Sequence, residues 1–205
     1  AAAHGGTDRL LARLDAVFDA KVDPKVFEHM EDITGLIGWY AHGNEPSHHV
    51  AYLYAYAGQP WRTQARLKQI MDSQYAARPD GLSGNDDLGQ MSSWLMFTAL
   101  GFYPVTPGSN QYAIGRPFVD RAAITLPNGK RFTVETIGLS DDHPYVGAVE
   151  LNGEPLTEDY APLPASQVPF SIAVPADTMW VMGDNRDDST DSRALLGRPG
   201  GGFIP

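Results

Sequence analysis

The hydrophobic residues of this chain change period once, and that change limits the folds open to it. Up to about residue 100 they recur at helical spacing, whereas after Tyr103-Pro104 they alternate or gather in β-branched runs. Leu10, Leu11, Leu14, Val17 and Phe18 share one stripe behind Thr7, a potential cap, which predicts a helix over about 7–20. The same spacing predicts helices from Pro24 to about Met30, over Leu36–Ala41, from Pro46 to Ala57, from Pro60 to Ala77 and from Gln90 to Leu100. Three of these open on a proline, whose missing N–H costs nothing in a first turn. Beyond the switch, Phe118–Leu126, Arg131–Ile137 and Tyr145–Leu151 read as strands, with Pro127-Asn128-Gly129-Lys130 as a hairpin turn. Val168–Val174 and Thr178–Met182 continue the strand pattern, and Asp184–Pro205 reads as loop. The fold class expected is α+β, a helical N-terminal half followed by a β-rich C-terminal half, the two packed as separate layers.

Composition removes several functions. The 205 residues carry 15 Lys+Arg against 25 Asp+Glu, a net charge of −10, with no basic stripe, so nucleic acid and anionic membrane surfaces are repelled. The absence of cysteine excludes thiol catalysis, disulfide scaffolds and thiolate metal sites. No apolar run approaches the length of a membrane span, and Ala1–Gly6 lacks the basic and apolar regions of a signal peptide, so no membrane or targeting segment is expected in the chain.

Two segments of the helical half hold more polar chemistry than a bundle needs: His42-Gly43-Asn44-Glu45-Pro46-Ser47-His48-His49, and Gly81 through Asn85-Asp86-Asp87 to Gln90. Both lead into helix starts, where backbone N–H groups are exposed and functional groups accessible. The plain alternative is that Glu45 and Asp87 are first-turn acids favoured by the helix dipole, and His48-His49 a solvated helix face.

The motifs GNEPSHH, DGLSGNDD-x-GQMSxW and GFYPVxPGS are long and ordered. The stretch that contains them, from near Gly5 to about Leu156, resembles the C-terminal part of the family 92 glycoside hydrolases, calcium-dependent exo-α-mannosidases. The resemblance implies that residues 1–104 form a late section of an (α/α)6-type barrel and residues 105–156 a β region after it. It implies inverting hydrolysis of an α-mannoside or N-glycan-type carbohydrate, a secreted or periplasmic location, and a general acid on an upstream segment, leaving this part inactive alone. Inversion needs two carboxylates about 6.5–9.5 Å apart across a water, which the adjacent Asp86 and Asp87 cannot supply as a pair. By resemblance Asp87, with Asp86 beside it, is the water-activating position. Asn44 and Glu45 offer hard oxygen ligands of the type calcium takes, and Gln90 would add an oxygen or bind a sugar hydroxyl. Trp39, Tyr40, Trp61 and Trp94 have rings for sugar stacking, although Tyr52, Tyr54, Tyr56 and Trp94 at helical spacing fit packing better.

The tail, residues 157–205, reads differently. Its GDNRDDSTDSR block resembles the C-terminal motif of type I signal peptidases of actinobacterial style, with a crossover expected near 151–160, so that the chain reads as a chimera. That resemblance implies structural roles for Gly183 and Asp184 at a strand end, for Ser189 toward a catalytic lysine, and for an Asp191–Arg193 pair. The Ser–Lys dyad of that family belongs to upstream segments, and a lone Ser189 without a base is an ordinary hydroxyl. Three functions therefore compete: a mannosidase fragment, a signal-peptidase-like protein without its dyad, and a non-catalytic carbohydrate-binding or structural module.

Overall fold

Helix α1 (Thr7–Phe18) turns Leu11, Leu14 and Phe18 inward, as the stripe predicts. Gly6, not Thr7, is its N-cap, and no side chain caps it. The computed structural model describes residues 4–30, 33–109, 111–156, 179–180 and 203–204. Its contacts divide the chain into two units, Ala1–Leu156 and Thr157–Pro205.

After α1 comes a single 3-10 turn, Pro24–Phe27, capped by Asp23, whose Oδ1 accepts the Lys25 N–H at 3.0 Å. Leu36–Ala41 is not the expected helix. It is a hairpin in which β1 (Leu36–Ile37) pairs antiparallel with β2 (Tyr40–Ala41). The cause lies at the end of α1, whose last carbonyls have no partner within the helix. The Val17 carbonyl accepts the Trp39 N–H at 2.7 Å. Gly38, at φ 61°, lets the turn sit so close that a β-carbon there would lie 2.3 Å from the same oxygen.

The helix expected from Pro46 to Ala57 is broken into 3-10 turns at Glu45–Ser47 and Val50–Tyr52 and one α-turn, α2 (Leu53–Tyr56). Helix α3 (Pro60–Gln74) stops three residues early, because Tyr75 turns extended and bridges to Leu82. Helix α4 (Gln90–Leu100) has the expected bounds, with left-handed Gly89 and Gly101 at its two ends.

In the second half β3 (Phe102–Tyr103) pairs with β4 (Ala113–Ile114), a pair the alternation pattern does not reveal. β5 (Arg121–Thr125) and β6 (Arg131–Glu135) form the expected hairpin, in register from Arg121↔Glu135 to Thr125↔Arg131. Of Tyr145–Leu151 only Glu150–Leu151 is strand, β7, paired with β8 (Glu154–Pro155). In the second unit β9 (Met179–Trp180) pairs with β10 (Phe203–Ile204). Val168–Val174 lies outside the described residues. Among those residues every sheet has two strands.

The content is thus mixed helix and strand, but the change of period is not a boundary between layers. Tyr103 and Ala113 belong to the same core as Phe18, Tyr40, Tyr52, Leu67, Ile70 and Trp94. Helix α3 also reaches residues of the second half: Gln64 Oε1 accepts the Val146 N–H at 3.1 Å, and Lys68 pairs with Asp141 at 3.0 Å.

Candidate functional site

The two polar segments meet. A β-carbon on Gly84 would stand 2.7 Å from the Gly43 Cα, and one on Gly43 would strike the Thr34 hydroxyl at 1.9 Å. Only glycine allows the two backbones this approach. Asn44 follows Gly43 directly and Asp86 lies two residues beyond Gly84, so the contact joins the two segments that carry them.

Asn44 and Glu45 are half-buried at the start of the 3-10 turn Glu45–Ser47, which is closed by the His48 N–H on the Glu45 carbonyl at 2.9 Å. Asp86 and Asp87 are exposed. Their roles in the fold differ. Asp86 Oδ1 accepts the Ser92 N–H at 2.9 Å and its carbonyl accepts the Met91 N–H at 3.2 Å, so Asp86 satisfies orphan donors of the first turn of α4. Asp87 and Leu88 hold φ 45° and φ 57°, followed by Gly89 at 88°, and the Leu88 side chain stands fully in solvent. Left-handed backbone at two successive residues with β-carbons costs energy that the surroundings must offset.

Beneath these turns lies a buried polar network that sequence reading missed. Tyr40 Oη lies 2.8 Å from His42 Nδ1, and His42 Nε2 lies 2.7 Å from Tyr75 Oη. Tyr75 donates its single proton to the Met91 carbonyl at 3.1 Å. His42 Nε2 must therefore donate to Tyr75, and Nδ1 must accept from Tyr40. His48 Nε2 donates to the His42 carbonyl at 2.9 Å, and Gln90 Nε2 stands 3.2 Å from His48 Nδ1 and 3.3 Å from Tyr103 Oη. Trp94 Nε1 donates to the His48 carbonyl at 3.0 Å, and its ring meets His42 edge-on with centroids 4.5 Å apart.

The electrostatics agree with neutral imidazoles. Burial first, and then the repulsion that a protonated His48 would exert, push His42 down to about 3. Burial also lowers His48, against the opposing pull of its bond to the His42 carbonyl and the nearby Glu45 charge. Burial, then the charge of Asp86, holds the Tyr75 phenol far above its usual range. His48-His49 is therefore not a solvated face: His48 is buried and His49 is exposed. His42 directly precedes the GNEPSHH motif and His48 lies within it, and the one hint of their burial in the sequence is that the Tyr52 and Trp94 positions read as core.

Of the aromatics, Tyr40, Tyr52, Tyr54 and Trp94 are buried in the core, whereas Trp39, Tyr56 and Trp61 are exposed. Asn44, Glu45 and Gln90 offer hard oxygens, the chemistry calcium prefers, but calcium takes about six to eight of them. Among the described residues no group of three His, Cys, Asp or Glu side chains is placed to hold a metal. This donor set alone does not complete a calcium shell. Gly183, Asp184, Ser189, Asp191 and Arg193 lie outside the described residues.

Comparison with known proteins gives a consistent result. Residues 1–168 match the glycosyl hydrolase family 92 catalytic domain, which runs past the crossover expected near 151–160. A protein of Arthroderma benhamiae called an uncharacterized secreted glycosidase is 31% identical over 159 residues, covering 76% of this chain and 18% of that protein. The family GH92 α-mannosidase of Bacteroides thetaiotaomicron, solved in complex with mannoimidazole, is 41% identical, with a TM-score of 0.67 over 76% of this chain and 21% of that one. A GH92 inverting mannosidase of the same organism is 38% identical, with a TM-score of 0.60 over 77% of this chain and 23% of that one. The chain thus spans about a fifth of the length of these relatives.

Proposed function

The chain belongs to the glycosyl hydrolase family 92 catalytic-domain family, and from that premise we propose that it supplies one part of the site of an inverting α-mannosidase. The observation that supports this reading is the contact of Gly43 with Gly84, which joins the segment of Asn44 and Glu45 to the segment of Asp86 and Asp87. In this reading Asp87 is the carboxylate that takes a proton from the attacking water. Asp86, committed to the first turn of α4, orients that turn instead of reacting. Asn44, Glu45 and Gln90 bind sugar hydroxyls, and Asn44 and Glu45 contribute part of the oxygen shell of a calcium ion that other segments complete. The general acid comes from outside this chain, so the chain alone binds an α-mannoside without turning it over, since general acid help is worth about 10²–10⁴-fold. Secretion of the parent protein is part of the same proposal, in keeping with the relative called a secreted glycosidase. No helix among the described residues is long and apolar enough to cross a membrane. For the tail, the signal-peptidase-like motif is proposed to serve structure only.

The test is a titration of the isolated chain with methyl α-mannoside and calcium ions, followed by amide chemical shifts. Shifts at Asn44, Glu45 and Gln90 that are weaker with methyl α-glucoside, with no release of mannose from an aryl α-mannoside, are the expected result. Equal response to both sugars, or none, overturns the binding role. Turnover abolished by Asp87→Asn overturns the claim that the acid lies elsewhere.

A further inference from the structure

We propose that His48 is a positioning residue: through Nδ1 it holds the Gln90 side-chain amide, and with it the first turn of α4 and the Asp86–Asp87 turn, against the loop that carries Glu45. This deepens the reading of the site given above and rests on it for its functional meaning.

The His42 carbonyl can only accept, so the His48 Nε2 atom 2.9 Å away carries the proton, and a neutral ring then has Nδ1 free to accept. Gln90 fills that role from 3.2 Å, and the same nitrogen is 3.3 Å from Tyr103 Oη, so both amide protons are engaged on the core side and Oε1 remains as an acceptor. Gln90 is the first residue of α4, and its own N–H is bonded to the Asp87 carbonyl at 3.1 Å. One side chain thus ties a buried histidine to the strained turn of the proposed base.

His48 is fixed in turn from three sides. Its Nε2–H is bonded to His42, its carbonyl accepts the indole N–H of Trp94 at 3.0 Å, and its ring lies 4.8 Å from that of His42. His42 cannot exchange its tautomer without stranding the Tyr40 proton, because Tyr75 has already given its own to Met91. Behind one weak-looking contact, then, stands a chain of bonds with a single consistent direction, which is what a positioning group requires.

The experiment uses the chain itself and compares His48→Asn, His48→Gln and Gln90→Leu. Asparagine keeps an acceptor near the Nδ1 place, while glutamine keeps a donor near the Nε2 place. Long-range nitrogen–proton spectra of the unmodified chain are expected to show both His42 and His48 as neutral Nε2–H tautomers. Amide exchange at Gln90, Met91 and Ser92 is expected to quicken about five- to tenfold in His48→Gln and in Gln90→Leu, while His48→Asn stays near the parent rate. The amides of α3 should not respond in any variant that folds. If glutamine and asparagine behave alike, or if Gln90→Leu leaves those three amides unchanged, the proposal is overturned. An Nδ1–H tautomer at His48 overturns it as well. Because Gln90 is half-buried, its variant tests the contact even where a change at His48 prevents folding. These readouts do not involve sugar, so failure to bind methyl α-mannoside would count against the mannosidase reading and not against the coupling of His48 to Gln90.

Discussion

Gly84 packs against Gly43 so closely that a β-carbon on Gly84 would come 2.7 Å from the Gly43 Cα, a distance that real β-carbons do not show. Such an atom would meet Gly43 backbone at 2.7 Å and the Thr34 hydroxyl at 2.8 Å, and because the backbone cannot swing aside the two loops would have to part. Gly84→Ala is expected to lower unfolding free energy by about 1–3 kcal/mol, as overpacking does, and to weaken mannoside binding with it. Gly147→Ala is the control, since a β-carbon there meets nothing within 4 Å. Urea unfolding of both variants checks this, and equal midpoints would show that the loops do not need the contact.

Asp86 and Asp87 should separate in their effects. Asp86 accepts the Ser92 N–H at 2.9 Å, so Asp86→Ala removes a partner of the first turn of α4 and should cost about 1 kcal/mol of stability. Asp86→Asn keeps an acceptor oxygen and should cost less. If instead both variants leave the melting temperature unchanged, Asp86 is not holding the turn.

Leu88 should be replaceable to advantage. It sits at φ 57° with its side chain wholly in solvent, so it gains nothing from burial while its β-carbon is strained. Left-handed backbone at a residue with a β-carbon costs about 1–3 kcal/mol, while the extra freedom of glycine in the unfolded chain costs about 0.4–1 kcal/mol. Leu88→Gly should therefore raise the unfolding free energy, and a loss of stability would show that the leucine side chain has a partner role.

What the sequence made legible follows from which forces are local. Helix α4 was readable to the residue because Gly89 and Gly101 terminate it by their own backbone freedom, and the β5–β6 hairpin because its turn residues act within four positions. Leu36–Ala41 was not, because the decisive acceptor is the Val17 carbonyl, some twenty residues earlier in the chain. The same distinction holds at the site. Asn44, Glu45, Asp86, Asp87 and Gln90 were visible as polar clusters and through family resemblance. The roles of His42 and Tyr75 depend on a contact 33 positions apart, and that of His48 with Gln90 on one 42 positions apart, so residue type could not distinguish buried from solvated histidine.

That network makes stability sensitive to acid in a window of its own. Burial pushes His42 from 6.5 down to about 3, so the folded chain refuses a proton that the unfolded chain accepts. As pH falls below 6.5 the unfolded state binds more protons, and stability declines toward pH 3 with a limiting slope of about 1.4 kcal/mol per pH unit for this one group. His48, lowered in the same direction, steepens the decline. Asp15 and Asp141 behave otherwise: their carboxyls are held low mainly by Arg62 and Lys68, and what they contribute is lost only as pH falls below the carboxylate range, through their folded pKa values. Denaturant unfolding between pH 6.5 and 4.5 therefore isolates the imidazoles from those carboxylates. The expected outcome is a steady loss of stability across that range, with the ring protons of His42 showing no titration in the folded chain. A His42 midpoint near 6.5 would mean that water or a counter-charge reaches the ring, and the one-directional chain from Tyr40 to Met91 could not then exist.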